Sequence, residues 1–128
     1  MRIERINHVQ ISVPLGSEDE VRRFYCGVLK LTEVPKPDAL RGRGGLWLTV
    51  GDQAIHFGTE EVADRAASKR HVAFEVEDLD AARVELERAG VKILEGIPIP
   101  DYDRFEFRDP FGNRVELMQR KSARQRAH

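Results

Sequence analysis

Three of the four histidines and one late glutamate are the residues of this chain best suited to do chemistry. His8 opens the alternating run "NHVQISV", and His71 opens "RHVAFEV" 63 positions later; His56 lies in "QAIHFG", Glu116 in "NRVELMQ", and His128 ends the chain. Imidazoles with one carboxylate suit Zn, Ni, Co, Mn or Fe(II). Two His and one carboxylate on one side of such an ion leave positions open for a substrate. An imidazole also titrates near neutral pH, so two roles are open to His56, a fourth ligand or a general base. Glu116 is a second candidate proton acceptor. Polar residues also line the wet face of ordinary antiparallel sheets without any task. Repetition speaks against that reading here: three of the four histidines fall on the first or last strands of two similar units, and Glu116 fills the remaining equivalent place.

Those units emerge when the sequence is laid on itself at an offset of 63. Residues 8–41 then face 71–104 with 11 identities in 34 positions, among them His8/His71, Val13/Val76, Gly27/Gly90 and Asp38/Asp101. Average composition would give roughly 2. Past residue 41 the offset shrinks, so that His56 faces Glu116 at 60. Each unit reads as strand, helix, then three strands. In the first, residues 6–13 alternate, and Val21, Phe24, Tyr25, Val28 and Leu29 have helical spacing over 18–30 with Ser17 as expected N-cap. A strand near 31–34, the loop "PKPDALRGRGG" and a hairpin turned at Gly51-Asp52 follow. The second repeats this as "HVAFEV", the helix "LDAARVELERAG" ended by Gly90, "VKILE", "GIPIPDYD", and two strands joined by "PFGN". The expected class is α+β: two tandem βαβββ units, about 3–59 and 70–119, forming a mixed, curved sheet with helices on the outer face, a linker at 60–69 and a basic tail at 120–128.

Strand parity places the candidates. Val9, Ile11 and Val13 share one face of their strand and His8, Gln10 and Ser12 the other; Ile55 and Phe57 oppose His56; Val72 and Phe74 oppose His71; Val115 and Leu117 oppose Glu116. The aliphatic faces should pack under the helices, which turns all four ionisable groups away from them. Trp47, Tyr102, Arg104 and Arg108 are further candidates for substrate contact, although parity leaves the face of Trp47 open. Arg104 and Arg108 flank Glu106 on one face, which suits either an anionic substrate or a ladder of alternating charge.

A length of 128 residues suits one domain, and 41% hydrophobic with 34% charged residues describes an ordinary globule. No apolar run approaches the roughly 20 residues of a membrane span. The opening "MRIERINHV" lacks the apolar region of a signal peptide, and with the single Cys26 this makes a reducing cytoplasm the expected setting. Cys26 reads as packing. A net charge of -1 with both signs interspersed argues against nucleic acid as partner.

At "INHVQISV" with "VRRFYCGVLKL", at "RHVAFEVEDLDAARVELERAGV" and at the ending "RDPFGNRVELMQ", the sequence resembles the vicinal oxygen chelate superfamily, the glyoxalase, bleomycin-resistance and dioxygenase group, over about residues 3–119. The resemblance implies paired βαβββ units and a homodimer with sites between subunits. It also implies a divalent metal held by His8, His71 and Glu116. His56 stands where glyoxalase I has a carboxylate or amide ligand, which departs from that enzyme. The three-ligand pattern, and "GGLWLTVG", are closer to the fosfomycin-resistance thiol transferases, from which Gln10 (a Thr there) and "IPIPDYDRF" (a Ser/Gly-rich loop there) depart. Lys30 replaces the Gly that usually ends the first helix. The function implied is a metal-dependent lyase, isomerase, transferase or dioxygenase acting on a small substrate that chelates the metal through adjacent oxygens. The same fold also serves metal-free proteins that sequester a drug or metabolite.

Overall fold

The computed structural model describes residues 1–122; His128 and most of the basic tail lie outside the described residues. The chain divides into two compact units, Met1–Ala63 and Asp64 onward. The first contains β1 (His8–Val13), α1 (Glu18–Val21) running on as a π-helical segment (Arg22–Val28), β2 (Thr32–Val34), a 3-10 turn (Asp38–Arg43), β3 (Leu46–Val50) and β4 (Gln53–Thr59). The second contains β5 (His71–Glu75), α2 (Leu79–Arg88), β6 (Leu94–Glu95), β7 (Tyr102–Arg108) and β8 (Arg114–Arg120). Both are βαβββ units, and the fold is α+β as the repeat requires.

Each unit builds a four-stranded mixed sheet, in the orders β1-β4-β3-β2 and β5-β8-β7-β6. The outer pairs β1/β4 and β5/β8 are parallel, and the others antiparallel. In the first unit Ile11, Val13, Leu46, Leu48, Ile55 and Phe57 are buried with Val21, Phe24 and Tyr25 of the helix. In the second Phe105, Phe107, Val115 and Leu117 are buried with Leu79 and Leu86 of α2. Each such side chain stabilises by about 1.5–3 kcal/mol, and a one-residue slip would turn a strand's whole set outward. That cost fixes the register and hence the opposite faces, which carry the candidate site.

Several local expectations need correction. Ser17 does not cap α1: its hydroxyl donates to the Pro14 carbonyl at 2.6 Å, while Asp78 caps α2 by accepting from Ala81 N at 3.0 Å. The first helix widens after Val21, where Leu29 N donates to Phe24 O, five residues back. Its end is turned by Lys30 at φ 66, a left-handed conformation in which its ammonium donates to the Gly27 carbonyl. Of "VKILE" only Leu94–Glu95 is strand. No helix among the described residues is long and apolar enough to cross a membrane.

Candidate functional site

In the first unit, ladder pairing puts Gln10, His56 and Trp47 in one row across β1, β4 and β3. Parity makes this the face opposite the core, and it also settles Trp47, which joins the polar side. Trp47 and His56 stack at 3.9 Å with 3° between planes, and His8 stacks on His56 at 4.0 Å and 23°. His56 is therefore enclosed, and 8% exposed. Desolvation, then the nearby His8, lowers its pKa from the ordinary 6.5, so it is neutral at pH 7. A ring nitrogen's lone pair lies in its ring plane, and two planes stacked this close to parallel do not meet near the rings, so His8 and His56 do not share a point of coordination. Gln10 lies across Gly58, where a Cβ would come within 2.4 Å of its amide nitrogen. This face opens into a cleft of about 530 Å³.

In the second unit the equivalent row is Ala73, Glu116 and Glu106. The backbone thus repeats the topology, and Glu116 occupies the place that His56 holds in the first unit. Glu106 and Glu116 face each other directly, an arrangement that destabilises a sheet unless each charge is answered. Each is answered from the opposite strand. Arg104 Nη1 donates to Glu116 Oε1 at 2.8 Å, and Arg114 Nε to Glu106 Oε2 at 2.6 Å. Arg104 also donates twice to the Ile97 carbonyl, at 3.1 and 3.0 Å. Glu116 is 4% exposed. Its second oxygen lies 3.4 Å from His71 Nε2.

The two unit-opening histidines are held alike. His71 Nδ1 is 2.9 Å from the Lys69 carbonyl, and His8 Nδ1 is 3.0 Å from the Asn7 side-chain oxygen. A carbonyl oxygen only accepts, so Nδ1 carries the proton and Nε2 of the neutral ring presents a lone pair. For His71 that lone pair faces a carboxylate oxygen. The two repel until a proton or a metal ion sits between them.

The candidates thus gather as His8, Gln10, Trp47 and His56 in the first unit and as His71, Arg104 and Glu116 in the second. Two stand apart. Tyr102 pairs with Arg120, whose guanidinium donates to its hydroxyl at 3.2 Å, and Arg108 donates to the Gly112 carbonyl at 3.3 Å. Glu106 is held by Arg114, so neither arginine that flanks it on β7 pairs with it among the described residues. Among the described residues no three His, Cys, Asp or Glu side chains gather closely enough to hold a metal ion. Sequence reasoning missed Lys36 and Arg43, which line the first-unit cleft from an aperiodic loop, and Asp109. Asp109 is buried and accepts from Phe111 N, Asn113 N and Asn113 Nδ2 at 2.9, 2.8 and 3.0 Å. It thereby holds the turn that sets β7 against β8. "DPFGN" was the available signal, since Asp commonly anchors a turn to the backbone two residues on.

This duplicated βαβββ fold, with its histidine-led first strands, is that of a known group. The profile of the Glyoxalase/Bleomycin resistance protein/Dioxygenase superfamily matches residues 5–117, and the chain belongs to that superfamily. A glyoxalase family protein from Bacillus anthracis is 41% identical with a TM-score of 0.87, over 94% of this chain and 100% of that one. Two more distant structures share the fold. The fosfomycin resistance protein FosX from Listeria monocytogenes, solved with Mn(II) and sulfate, has 14% identity and a TM-score of 0.77 over 98% of this chain and 96% of that one. TnmS3, an antibiotic binding protein from Streptomyces sp. CB03234, has 20% identity and a TM-score of 0.71 over 94% and 99%. No curated protein matches the chain.

Proposed function

We propose that the protein is a divalent-metal-dependent enzyme acting on a small substrate with two adjacent oxygens. The observation that carries this reading is the His71–Glu116 pair, an imidazole lone pair and a carboxylate oxygen 3.4 Å apart. Donors about 2.1 Å from one ion are separated by roughly 3.0–3.4 Å in octahedral or tetrahedral coordination, so the donor set fits a metal such as Zn, Ni, Co, Mn or Fe(II). His8, whose Nε2 is freed in the same way, is the further donor that the family pattern implies. A bound ion would supply Lewis acidity to the chelating oxygens. Arg104 holds one oxygen of Glu116 and leaves the other to act as donor. His56, stacked, enclosed and neutral, is assigned as the general base rather than a fourth ligand, since its ring cannot share an ion with the ring lying flat against it. The FosX structure with Mn(II) supports the metal by analogy of fold. The family pattern also implies a homodimer, which the mass in solution tests.

A second reading, a metal-free protein that sequesters a small molecule, is favoured by the first-unit cleft, whose ring-lined wall would suit a ligand without any metal. Elemental analysis and titration with Zn, Ni, Mn and Fe(II) separate the two. Uptake that is lost in His71→Ala and Glu116→Gln but kept in His56→Ala is expected. No uptake of any of these ions by the wild-type chain would refute the enzyme as described.

A further inference from the structure

The first-unit cleft has a charge pattern that the metal reading does not use. Two cations line it, Lys36 and Arg43, together with the rings of His8, Trp47 and His56, and none of its lining residues is Asp or Glu. The cations are positioned by the loop between β2 and β3. Its 3-10 turn spends its one acid, Asp38, on Arg41 at 3.1 Å, so Arg43 two residues on has no ion pair or hydrogen bond among the described residues. Lys36 donates to the Gly44 carbonyl, which pins its ammonium at the cleft and leaves its charge unanswered by any carboxylate among the described residues. The loop's return is equally constrained. Gly45, at φ 78, passes so close to β4 that a Cβ would lie 2.1 Å from the Phe57 carbonyl oxygen. The carboxylate of Glu18 comes near Gly44 but neither lines the cleft nor pairs with either cation.

We infer that this cleft takes a small organic anion, its charged group against Arg43 and Lys36 and its apolar or unsaturated body toward Trp47 and Leu40. Walls of one charge sign concentrate ligands of the opposite sign, and guanidinium and ammonium donors bind carboxylate or phosphate oxygens more strongly than neutral ones. A cavity of about 530 Å³ is within the range that encloses such molecules. The inference rests on the proposed function only in calling this anion the substrate. Its binding needs no metal, so it is tested in excess chelator, where failure of the metal reading would leave it untouched.

Trp47 is the one tryptophan in the chain and lines the cleft, so its fluorescence reports occupancy. The full-length protein would be titrated with benzoate, with benzamide as the neutral isostere and with benzylamine as the cationic one. Benzoate should bind at least about tenfold tighter than benzamide, the equivalent of a single charge-assisted contact, and should weaken as salt is added. Benzylamine should bind weakest. Arg43→Gln removes a side chain that holds nothing else among the described residues, so it should abolish most of the preference by weakening benzoate far more than benzamide. Lys36→Gln should reduce it further. Equal affinity for benzoate and benzamide, no response to benzoate, or a preference that survives the double variant would overturn the inference.

Discussion

Arg104→Met provides the sharpest test of how the second unit holds its acid. Glu116 is 4% exposed and directly opposite Glu106, so without Arg104 its charge has no guanidinium or ammonium partner among the described residues. Stripping one partner from a buried ion pair typically costs about 3–5 kcal/mol. The Arg104 side chain is 21% exposed, so water can partly replace it, and about 3 kcal/mol is the expected loss. Glu116→Gln removes the charge instead and leaves a neutral acceptor for the same guanidinium, with an expected loss of about 1–2 kcal/mol. The double variant removes both charges at once and should lie within about 1–2 kcal/mol of the wild type, because a buried pair adds little beyond its neutral replacement. The two bonds from Arg104 to the Ile97 carbonyl are lost in both arms of the cycle and cancel. Urea unfolding in chelator, followed by circular dichroism, gives all four stabilities. A coupling of about 2–4 kcal/mol is expected, whereas effects that add to within about 0.5 kcal/mol would show that Arg104 does not hold Glu116 and would refute the reasoning.

The lowered pKa of His56 makes folding pH-dependent in chelator: the unfolded chain takes up this proton first, so stability should be fullest above about 6.5 and fall as pH drops through the folded-state midpoint. His8→Ala should raise that midpoint, read by NMR, because it removes one of the two causes; an unchanged midpoint would count against the stack. Gly45→Ala should cost about 3 kcal/mol or more through left-handed strain and the clash with Phe57, whereas Gly51→Ala, with open space around its Cβ, should cost only about 1–2 kcal/mol; the difference in urea midpoint checks both. Asp109→Ala should lose about 2–3 kcal/mol by orphaning backbone donors in the turn, measured by thermal unfolding.

The strands and their faces were legible because a sheet buried on one side demands alternation, and the duplication supplied a second reading of the same pattern. His8, His71 and Glu116 could be placed on one kind of face from parity alone. Contacts between neighbouring strands could not be read this way, since they depend on register. Arg104 meets Glu116 only because Asp109 fixes the turn between β7 and β8, and Trp47 reaches His56 only through the pairing of β3 with β4. Lys36 and Arg43 were hidden for another reason. They lie in a segment without periodicity, whose path is set by two glycines and a lysine-to-carbonyl bond rather than by hydrophobic pattern. The failed Ser17 cap has a conformational cause: its backbone, at φ -97 and ψ 13, is not in the extended conformation of a capping residue, and its hydroxyl is turned to the Pro14 carbonyl while its oxygen accepts from no N–H of the first turn.

The place held by His56 in one unit and by Glu116 in the other shows what duplication did with this architecture. Two copies of one backbone carry different side chains at matching places. One has kept its rings and gathered cations around a cleft, and the other has turned the same row into crossed acid–base pairs. Because each half is braced by its own core and its own turn, a substitution that retunes the ring-lined half need not disturb the acid-bearing half. One backbone plan thus carries a row of stacked rings in one unit and a row of paired charges in the other.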